Sequence, residues 1–362
     1  MRCWVEVSLG AIRSNYRAVH DLVGAGVTVM PVVKADAYRH GAAEVSRALE
    51  AEGAKWLAVS NVEEGIALRQ EGIRASILVM ADFPLEGTTA FEEFQLTPVV
   101  QSLEDIRHAR VPYHLKIDSG MGRLGSRETP QQIVDAIRAG AAPLQGIMTH
   151  FASSANYISR QTEEQEARFG QVLAALRSAG IEPRYVHQSS TIPIAYERRT
   201  AWGNLVRPGH AIYGYVSPAR GTAQKSALQV RPALTWKTRV LSVKTVEEGA
   251  LVGYGGIYCA TRPTRIAVLA AGYADGIPHR LSNRGQVLAH GKALPIIGAI
   301  SMDLTTIDVT DCPQLVPGDT VTLLGQSGSL SIDAQQMAKT AGSISYAVLC
   351  GISARVRRVY VD

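Results

Sequence analysis

An alternation of short apolar runs with helical patterns over roughly the first 220 residues constrains the fold more than any other feature. Helical patterns at 43–52, 62–70 and 130–139 separate apolar runs that are short enough to be buried strands. The predicted strands are 29–33, 56–60, 76–80, 97–100, 113–118, 144–150, 185–188 and 204–213. Because strands that alternate with helices pair in parallel, eight such units predict a (β/α)8 barrel, with a doubly wound open sheet as the main alternative.

The pattern changes after about residue 225, where Gly, Pro and Asp turns separate successive apolar runs. These predicted strands are 230–246, 265–270, 286–290, 304–309 and 319–324, and one predicted helix lies at 332–340. We therefore expect an α/β protein with two domains. The barrel should occupy residues 1–225 and a mostly β domain residues 226–362, and the first strand of the chain is a candidate member of the β domain.

Composition excludes several classes of protein. A chain of 362 residues with 46% hydrophobic residues can form two cores, but no run approaches the roughly 18 apolar residues of a membrane span. The net charge of +5 is spread along the chain rather than gathered among aromatic residues, so we expect small anionic ligands and no nucleic acid. Cys3, Cys259, Cys312 and Cys350 lack the spacing of a metal site, and Glu6 interrupts any signal peptide, so we expect a soluble cytoplasmic protein.

A lysine stands directly after the predicted strand 29–33. Burying an ammonium group is costly, so Lys34 is unusual at the end of an apolar strand. It is either a lysine whose charged head reaches solvent or an amine that desolvation makes nucleophilic, as Schiff-base lysines require. Tyr38 lies four residues further on, where its hydroxyl could reach an anion at the same rim.

The segment 120–125 (GMGRLG) has the spacing of a dinucleotide-binding fingerprint and lies between a predicted strand and a predicted helix. It follows five strand units, however, whereas the fingerprint belongs in the first unit of a Rossmann half. The next strand, 144–148, also lacks the acidic residue that such a site requires. We interpret the glycines as a tight turn that presents Arg123 at the end of a barrel strand.

The segment 33–41 (VKADAYRHG) resembles the pyridoxal 5′-phosphate (PLP) attachment signature of the alanine racemase family. Further matches follow in the family's order over some 320 residues. They are 114–125 (HLKIDSGMGRLG), 149–152 (THFA), 206–214 (VRPGHAIYG), 253–255 (GYG), 272–276 (GYADG), 301–303 (SMD) and 344–346 (ISY). Each match alone is moderate evidence, but their order and spacing make the resemblance specific.

The resemblance implies a PLP-dependent isomerase that interconverts L-alanine and D-alanine and supplies D-alanine for peptidoglycan. Lys34 would carry PLP as a Schiff base and serve as the base on the D face, and Tyr254 from a second subunit would serve on the L face. Inverting a stereocentre through a planar carbanion needs a proton acceptor on one face and a donor on the other. The resemblance therefore also implies a homodimer with shared active sites.

The resemblance further assigns residues to the cofactor. Arg207 would face the pyridine nitrogen of PLP, and His150 would support Arg207 or the cofactor itself. Because arginine keeps its charge, that nitrogen would stay unprotonated and the ring would be a weaker electron sink. The positions that match the family's phosphate ligands are Tyr38, Thr191, Gly209, His210 and Tyr346, with Gly209 and His210 acting through backbone N–H groups.

The substrate carboxylate would be held by Arg123 and by the backbone of Met302 from the second subunit. Lys116 lies seven residues before Arg123 on the same segment. In many members of the family this lysine is carbamylated and braces the arginine, so carbamylation of Lys116 is an open hypothesis here.

Departures from the family pattern concern the choice of substrate rather than the reaction. Ser190, Ile277 and Ala299 replace residues that are common in the family, and parts of the chain resemble its serine-racemising branch. Tyr346 stands where that branch has asparagine and favours alanine over serine or broad specificity. A non-catalytic PLP-binding protein would end after the barrel, and a related decarboxylase would need a stronger electron sink than Arg207 allows, so both functions are disfavoured.

Overall fold

The computed structural model describes residues 1–82 and 88–362, and the chain divides into two compact units. We call Ala11–Ala37 with Ala42–Arg231 the barrel unit, and Met1–Gly10 with Tyr38–Gly41 and Pro232–Asp362 the β unit. The strands are β1 (Cys3–Ser8), β2 (Thr28–Val29), β3 (Trp56–Val59), β4 (Ser76–Val79), β5 (Leu96–Val100), β6 (Tyr113–Lys116), β7 (Leu144–Met148), β8 (Tyr185–His187), β9 (Leu205–Val206), β10 (Leu234–Val246), β11 (Leu251–Val252), β12 (Tyr258–Cys259), β13 (Thr264–Leu269), β14 (Gln286–Ala289), β15 (Lys292–Pro295), β16 (Thr305–Asp308), β17 (Thr320–Ser327), β18 (Leu330–Ile332) and β19 (Arg357–Val361). The helices are α1 (Leu9–Val23), α2 (Lys34–Arg39), α3 (Ala42–Ala51), α4 (Val62–Gln70), α5 (Thr88–Glu93), α6 (Leu103–His108), α7 (Pro130–Ala139), α8 (Gln161–Ser178), α9 (Thr191–Ala195), α10 (Ala334–Ala341) and α11 (Ser345–Gly351).

The barrel unit is a ring of parallel strands. Strands β3 to β8 pair in chain order, and β2 pairs with β9. The ring closes on one side through a parallel bridge between Val32 and Ala58. It closes on the other side where the N–H of Arg207 donates to the carbonyl of Ser189 at 2.9 Å. The prediction of a (β/α)8 barrel is thereby confirmed.

Local sequence explains the helices that cover β6 and β7. Thr129 and Gln132 form a capping box at the start of α7, and Pro130 occupies its first turn, where no N–H is needed. Helix α8 buries Phe169 and Leu176 in the hydrophobic core that backs these two strands. Because β6 and β7 are fixed from behind, the polar residues at their carboxyl ends are held in defined positions.

The predicted strand at 204–213 is wrong beyond Val206. Pro208 has no N–H to donate to a sheet, and the residues His210–Tyr213 form a buried 3-10 turn instead. The prediction of a single helix in the C-terminal region is also wrong, since α11 follows α10.

The β unit is built on a mostly antiparallel sheet in the order β15-β14-β17-β10-β1-β19, with β13 also paired to β10 and β16 to β13. Strand β1 lies antiparallel to β10, with Cys3 opposite Thr238 and Val7 opposite Leu234, and parallel to β19. The start of the chain therefore contributes its first strand to this sheet. Within the described ranges, no helix combines the length and the apolar character needed to cross a bilayer.

Candidate active site

Lys34 begins a helical turn of unusual hand. In α2, the residues from Ala35 to Arg39 have φ between 53° and 65°. This left-handed region costs a residue other than glycine roughly 1–2 kcal/mol. The side chain of Lys34 is half-buried, and the N–H of Ala37 donates back to the carbonyl of Val33 at 2.8 Å. Backbone strain of this kind concentrates at functional sites, so the turn marks Lys34 as a candidate functional residue.

Positive charges gather at the carboxyl ends of the barrel strands. Lys116 ends β6 and is buried, and burial together with the charges of Arg123 and Arg207 lowers its pKa to about 8. Lys34 lowers the pKa of Lys116 further, and Asp118 acts in the opposite direction. The same cations, after burial, lower the pKa of His150 to about 3, so this imidazole is neutral at neutral pH.

The carboxylate of Asp118 is already engaged in the turn that follows β6. Its Oδ1 accepts the N–H groups of residues 120–122 at 2.8 to 3.1 Å, and its Oδ2 accepts Nε of Arg127 at 2.8 Å. A Cβ atom on Gly125 would lie 2.7 Å from the backbone nitrogen of Asp118. The GMGRLG segment is therefore a close turn that positions the exposed Arg123. Because the carboxylate of Asp118 is engaged in this turn, the cluster of Lys116, Arg123 and Arg207 retains an excess of positive charge.

Arg207 is buried and donates hydrogen bonds in several directions. Its Nη1 donates to Nδ1 and to the carbonyl of His187 at 2.7 and 3.0 Å. Its Nη2 donates to the carbonyls of Thr149 and Gln188 at 2.7 and 3.2 Å and lies 3.4 Å from Nδ1 of His150. Burial lowers the pKa of Arg207 to about 9, which leaves the guanidinium charged at neutral pH.

Two fully buried histidines extend the hydrogen bonds of Arg207 into the interior of the barrel. Nε2 of His187 lies 2.8 Å from Nδ1 of His114. Burial and the charge of Arg207 lower the pKa of His114 to about 3 and that of His187 well below its usual value, so both rings are neutral. The rings of Trp56 and Tyr185 pack against His114, with centroids 5.4 and 5.8 Å away. The interior of the barrel thus holds Arg207 through a chain of side chains.

Thr191 lies at the start of α9 and is buried. Its Oγ1 accepts the N–H groups of Gly209 and Ala211 at 3.3 and 3.2 Å. The structure therefore brings together two of the residues predicted to bind phosphate, Thr191 and Gly209, and the predicted His210 lies between the two N–H groups that Thr191 accepts.

Two more predicted phosphate ligands lie in the β unit. The rings of Tyr38 and Tyr346 have centroids 6.1 Å apart at an angle of 46°. Burial raises the pKa of Tyr38 well above its usual value, and Tyr346 and Cys350 add to the shift. The Tyr38 hydroxyl is therefore a neutral donor.

The β unit also carries Tyr254 and Met302, and both are exposed, at 75% and 54%. Tyr254 lies in a 3-10 turn between Gly253 and Gly255. The loop of Met302 is held by the GYADG motif, because the N–H of Ala274 donates to the carbonyl of Met302 at 2.9 Å. Both side chains are therefore available to a second molecule.

The donor set in the barrel unit fits PLP. A primary amine is present at Lys34 for an aldehyde, and Lys116, Arg123 and Arg207 supply positive charge for the anionic groups of a cofactor and an amino acid. Oγ1 of Thr191 accepts backbone N–H groups and keeps its own proton for a phosphate oxygen. Throughout residues 1–82 and 88–362, no cluster of three or more His, Cys, Asp or Glu side chains is arranged to hold a metal ion.

Comparison with protein families agrees with this chemistry. Residues 7–218 match the N-terminal domain of alanine racemase, and residues 233–360 match its C-terminal domain. The chain belongs to the alanine racemase family. The alanine racemase of Carboxydothermus hydrogenoformans is 40% identical over 369 residues, which cover 99% of each chain. That of Halothermothrix orenii is 36% identical over 370 residues, which cover 99% of this chain and 96% of the relative.

Solved structures of alanine racemases have the same fold. The enzyme of Clostridium difficile 630 superposes with a TM-score of 0.92 at 33% identity, covering 100% of this chain and 96% of that one. The Bacillus anthracis enzyme with bound L-Ala-P gives 0.91 at 31% identity, covering 100% and 95%. The Bartonella henselae enzyme with covalently bound pyridoxal phosphate gives 0.88 at 26% identity, covering 100% of both chains.

Sequence reasoning missed three residues that support the candidate site. His114 and His187 lie within strands, and the signal that could have found them is a polar residue at an inward position of a barrel strand. The third is Glu64 in the first turn of α4, whose carboxylate contacts the backbone after Lys34. No local pattern distinguishes Glu64 from the exposed Glu63 beside it.

Proposed function

We propose that this chain interconverts L-alanine and D-alanine with PLP attached to Lys34. The observation that carries the proposal is the cluster of Lys34, Lys116, Arg123 and Arg207 at the carboxyl ends of the barrel strands. Such a cluster needs an anionic occupant, and a cofactor phosphate with an amino-acid carboxylate supplies one. The sequence agreement with alanine racemases over the whole chain supports the same conclusion.

When bound, PLP would supply the electron sink that lets the α-carbon of alanine lose its proton. The amine of Lys34 would accept or return that proton on one face of the α-carbon, and the hydroxyl of Tyr254 would act on the opposite face. Arg207 would donate to the pyridine nitrogen. Because a guanidinium has no proton-accepting atom, the nitrogen would stay unprotonated and charge would be withdrawn only moderately.

The anionic groups would be divided between two sets of donors. Thr191, the backbone of Gly209 and His210, and the hydroxyls of Tyr38 and Tyr346 would hold the phosphate. The neutral, buried Tyr38 fits this role because it can donate without adding charge.

Arg123, with the backbone of Met302 from a second subunit, would hold the substrate carboxylate. Lys116 would carry a carbamate between Arg123 and the cations around it. The lowered pKa of Lys116 supports this, since the neutral amine is the form that reacts with carbon dioxide. Protein exchanged into ¹³C-bicarbonate should show one carbamate signal that Lys116→Ala lacks, and its absence from the wild-type protein would reject the assignment.

A homodimer follows from the proposed role of Tyr254. The exposed Tyr254 and Met302 lie in a β unit that also exposes Leu251 and Ile257, and an apolar surface of this kind fits contact with a second copy.

We further propose a cytoplasmic enzyme whose D-alanine supplies peptidoglycan. The four cysteines form no disulfide in the described part of the chain, as a reducing compartment would require.

Reduction with borohydride followed by peptide mapping tests the proposal. We expect PLP on Lys34 and racemisation of alanine, with Lys34→Ala losing both, while replacement of the exposed Lys55 by alanine changes neither. Serine and lysine measured alongside would identify a broader enzyme. PLP on Lys34 without turnover of any of the three amino acids would contradict the proposed activity.

A further inference from the structure

The left-handed turn after Lys34 needs contacts beyond its own side chains. Ala35, Asp36 and Ala37 have φ of 53° or 54°, and a residue other than glycine loses roughly 1–2 kcal/mol in this region. Ala35 is exposed, so packing of its methyl group does not hold it there. The first residue of the turn must therefore be held by its backbone.

The carboxylate of Glu64 makes this backbone contact. Its Oε1 accepts the N–H of Ala35 at 2.7 Å, and its Oε2 accepts the N–H of Ser60 at 2.8 Å. Ser60 directly follows β3, and the N–H of Glu64 itself donates to Oδ1 of Asn61, the N-cap of α4, at 3.0 Å. One carboxylate thus joins the start of the left-handed turn to the end of a barrel strand and to a capped helix.

Two further contacts of the turn within the barrel unit join it to residues close by in sequence. Oδ1 of Asp36 accepts the N–H of Ala42 at 2.8 Å, and the N–H of Ala37 donates to the carbonyl of Val33 at 2.8 Å. They stabilise the shape of the turn. Glu64 fixes its position relative to the barrel strands, because it brings in a separate element of the chain.

We propose that Glu64 is a positioning residue for Lys34, which it serves by holding the N–H of Ala35 and so fixing the direction in which the lysine leaves its strand. The proposal rests on the proposed function, since it takes Lys34 as the residue that carries PLP. Glu64 would act through the backbone and not on the cofactor or the substrate. Its effect would reach the amine through one peptide unit.

The chemistry of the two contacts requires a carboxylate. Both oxygens of Glu64 accept a backbone N–H, whereas the amide of glutamine offers one oxygen and one donating NH2 group. In Glu64→Gln, either the Ala35 or the Ser60 amide would therefore face another donor. Glu63→Gln removes the same charge from the same turn of α4 at an exposed position and is the matched control.

Amide hydrogen exchange of the holoenzyme measures the contact directly. In Glu64→Gln, the N–H of either Ala35 or Ser60 should exchange at least about tenfold faster. In Glu64→Ala, both N–H groups should exchange faster by that factor. Glu63→Gln should leave both at the wild-type rate. The N–H of Val33, which donates to Ala58 at 2.8 Å, is the internal reference. Equal acceleration at Val33 would indicate general loss of stability and overturn the proposal.

The rate at which Lys34 takes up PLP tests the consequence. Borohydride trapping should show uptake at least about tenfold slower in Glu64→Ala. Adding Ala35→Gly should restore most of the rate, because glycine accepts a positive φ without a contact to hold it there. Adding Ala174→Gly, at an exposed position in α8, should restore nothing.

The two experiments separate the inference from the function on which it rests. Wild-type protein that carries no PLP on Lys34 would end the proposed function. If the wild-type protein carries PLP on Lys34 but Glu64→Ala takes up PLP at the wild-type rate, the role proposed for Glu64 is contradicted and the proposed function stands. Failure of Ala35→Gly to restore uptake would also count against the inference, since relief of the strain is its stated cause.

Discussion

Nη1 of Arg207 donates to Nδ1 of His187 across 2.7 Å, and this contact fixes which nitrogen of the imidazole carries the proton. A guanidinium can only donate, so Nδ1 of His187 accepts and its proton lies on Nε2. That proton is donated to Nδ1 of His114 at 2.8 Å, which places the proton of His114 on its own Nε2. One buried cation therefore sets the tautomers of two histidines behind it.

Substitutions at His187 should separate the hydrogen bond from packing. His187→Leu fills much of the ring's volume but removes the acceptor for Arg207, so the free energy of unfolding of the cofactor-free protein should fall by about 2–4 kcal/mol. His187→Asn is smaller but places an oxygen near Nδ1, and it should lose about half as much. Urea unfolding gives both values. A leucine variant as stable as the asparagine variant would show that packing, not the contact to Arg207, decides stability here.

Gly146 makes room for the His114 ring. It lies opposite His114 in the β6–β7 pair, and an added Cβ would approach the ring to 2.6 Å. Trp56 and Tyr185 pack against the His114 ring and prevent it from moving away from an added Cβ. Gly146→Ala should therefore lower the free energy of unfolding by about 1–3 kcal/mol. Gly170 in α8 has no atom within 4 Å of its Cβ position, and Gly170→Ala should raise stability by about 0.5–1 kcal/mol. Thermal melts of both variants check the opposite signs.

The buried histidines should make the protein sensitive to acid. The unfolded chain binds a proton at His114 near pH 6.5, whereas the folded chain does so only near pH 3. The free energy of unfolding should therefore fall as pH decreases between these values, by about 1.4 kcal/mol per pH unit for this group. His114→Asn keeps an acceptor for His187 and should reduce the slope by that amount. Equal slopes for wild type and His114→Asn would contradict a neutral, buried His114.

Mixing two inactive variants should restore activity if the sites are shared. A dimer of one Lys34→Ala subunit and one Tyr254→Phe subunit has one site with both native residues. Random exchange should therefore recover about a quarter of the wild-type turnover. Each variant refolded alone is the control. Failure to recover activity, although heterodimers are present by mass, would place Tyr254 in the same site as the lysine of its own chain.

The sequence alone predicted the architecture well where local signals suffice. The helices at 62–70 and 130–139 have the predicted bounds, because the residues that cap them, Asn61 and Thr129, directly precede them in the sequence. The barrel and the family were also predicted correctly, since both depend on patterns repeated along the whole chain. The predicted strand at 204–213 was wrong after residue 206, because a short apolar run does not distinguish a strand from a buried 3-10 turn.

The remaining features depend on contacts between distant residues. Nothing in the glycine-free sequence from Ala35 to Arg39 signals a left-handed turn, which depends on partners such as Glu64. The contact between His114 and His187 joins residues 73 positions apart. The proposed role of Tyr254 involves a second copy of the chain. Tertiary and quaternary contacts of this kind are outside the reach of local propensity.

Incubation of the holoenzyme with L-alanine in D2O tests the proposed racemisation most directly. We expect the wild-type protein to form D-alanine with deuterium at the α-carbon, and we expect Lys34→Ala to form none. Tyr254→Phe should fail to exchange the α-proton of L-alanine. Protein with PLP on Lys34 that gives neither D-alanine nor α-deuterated alanine would contradict a two-base racemase built on Lys34 and Tyr254.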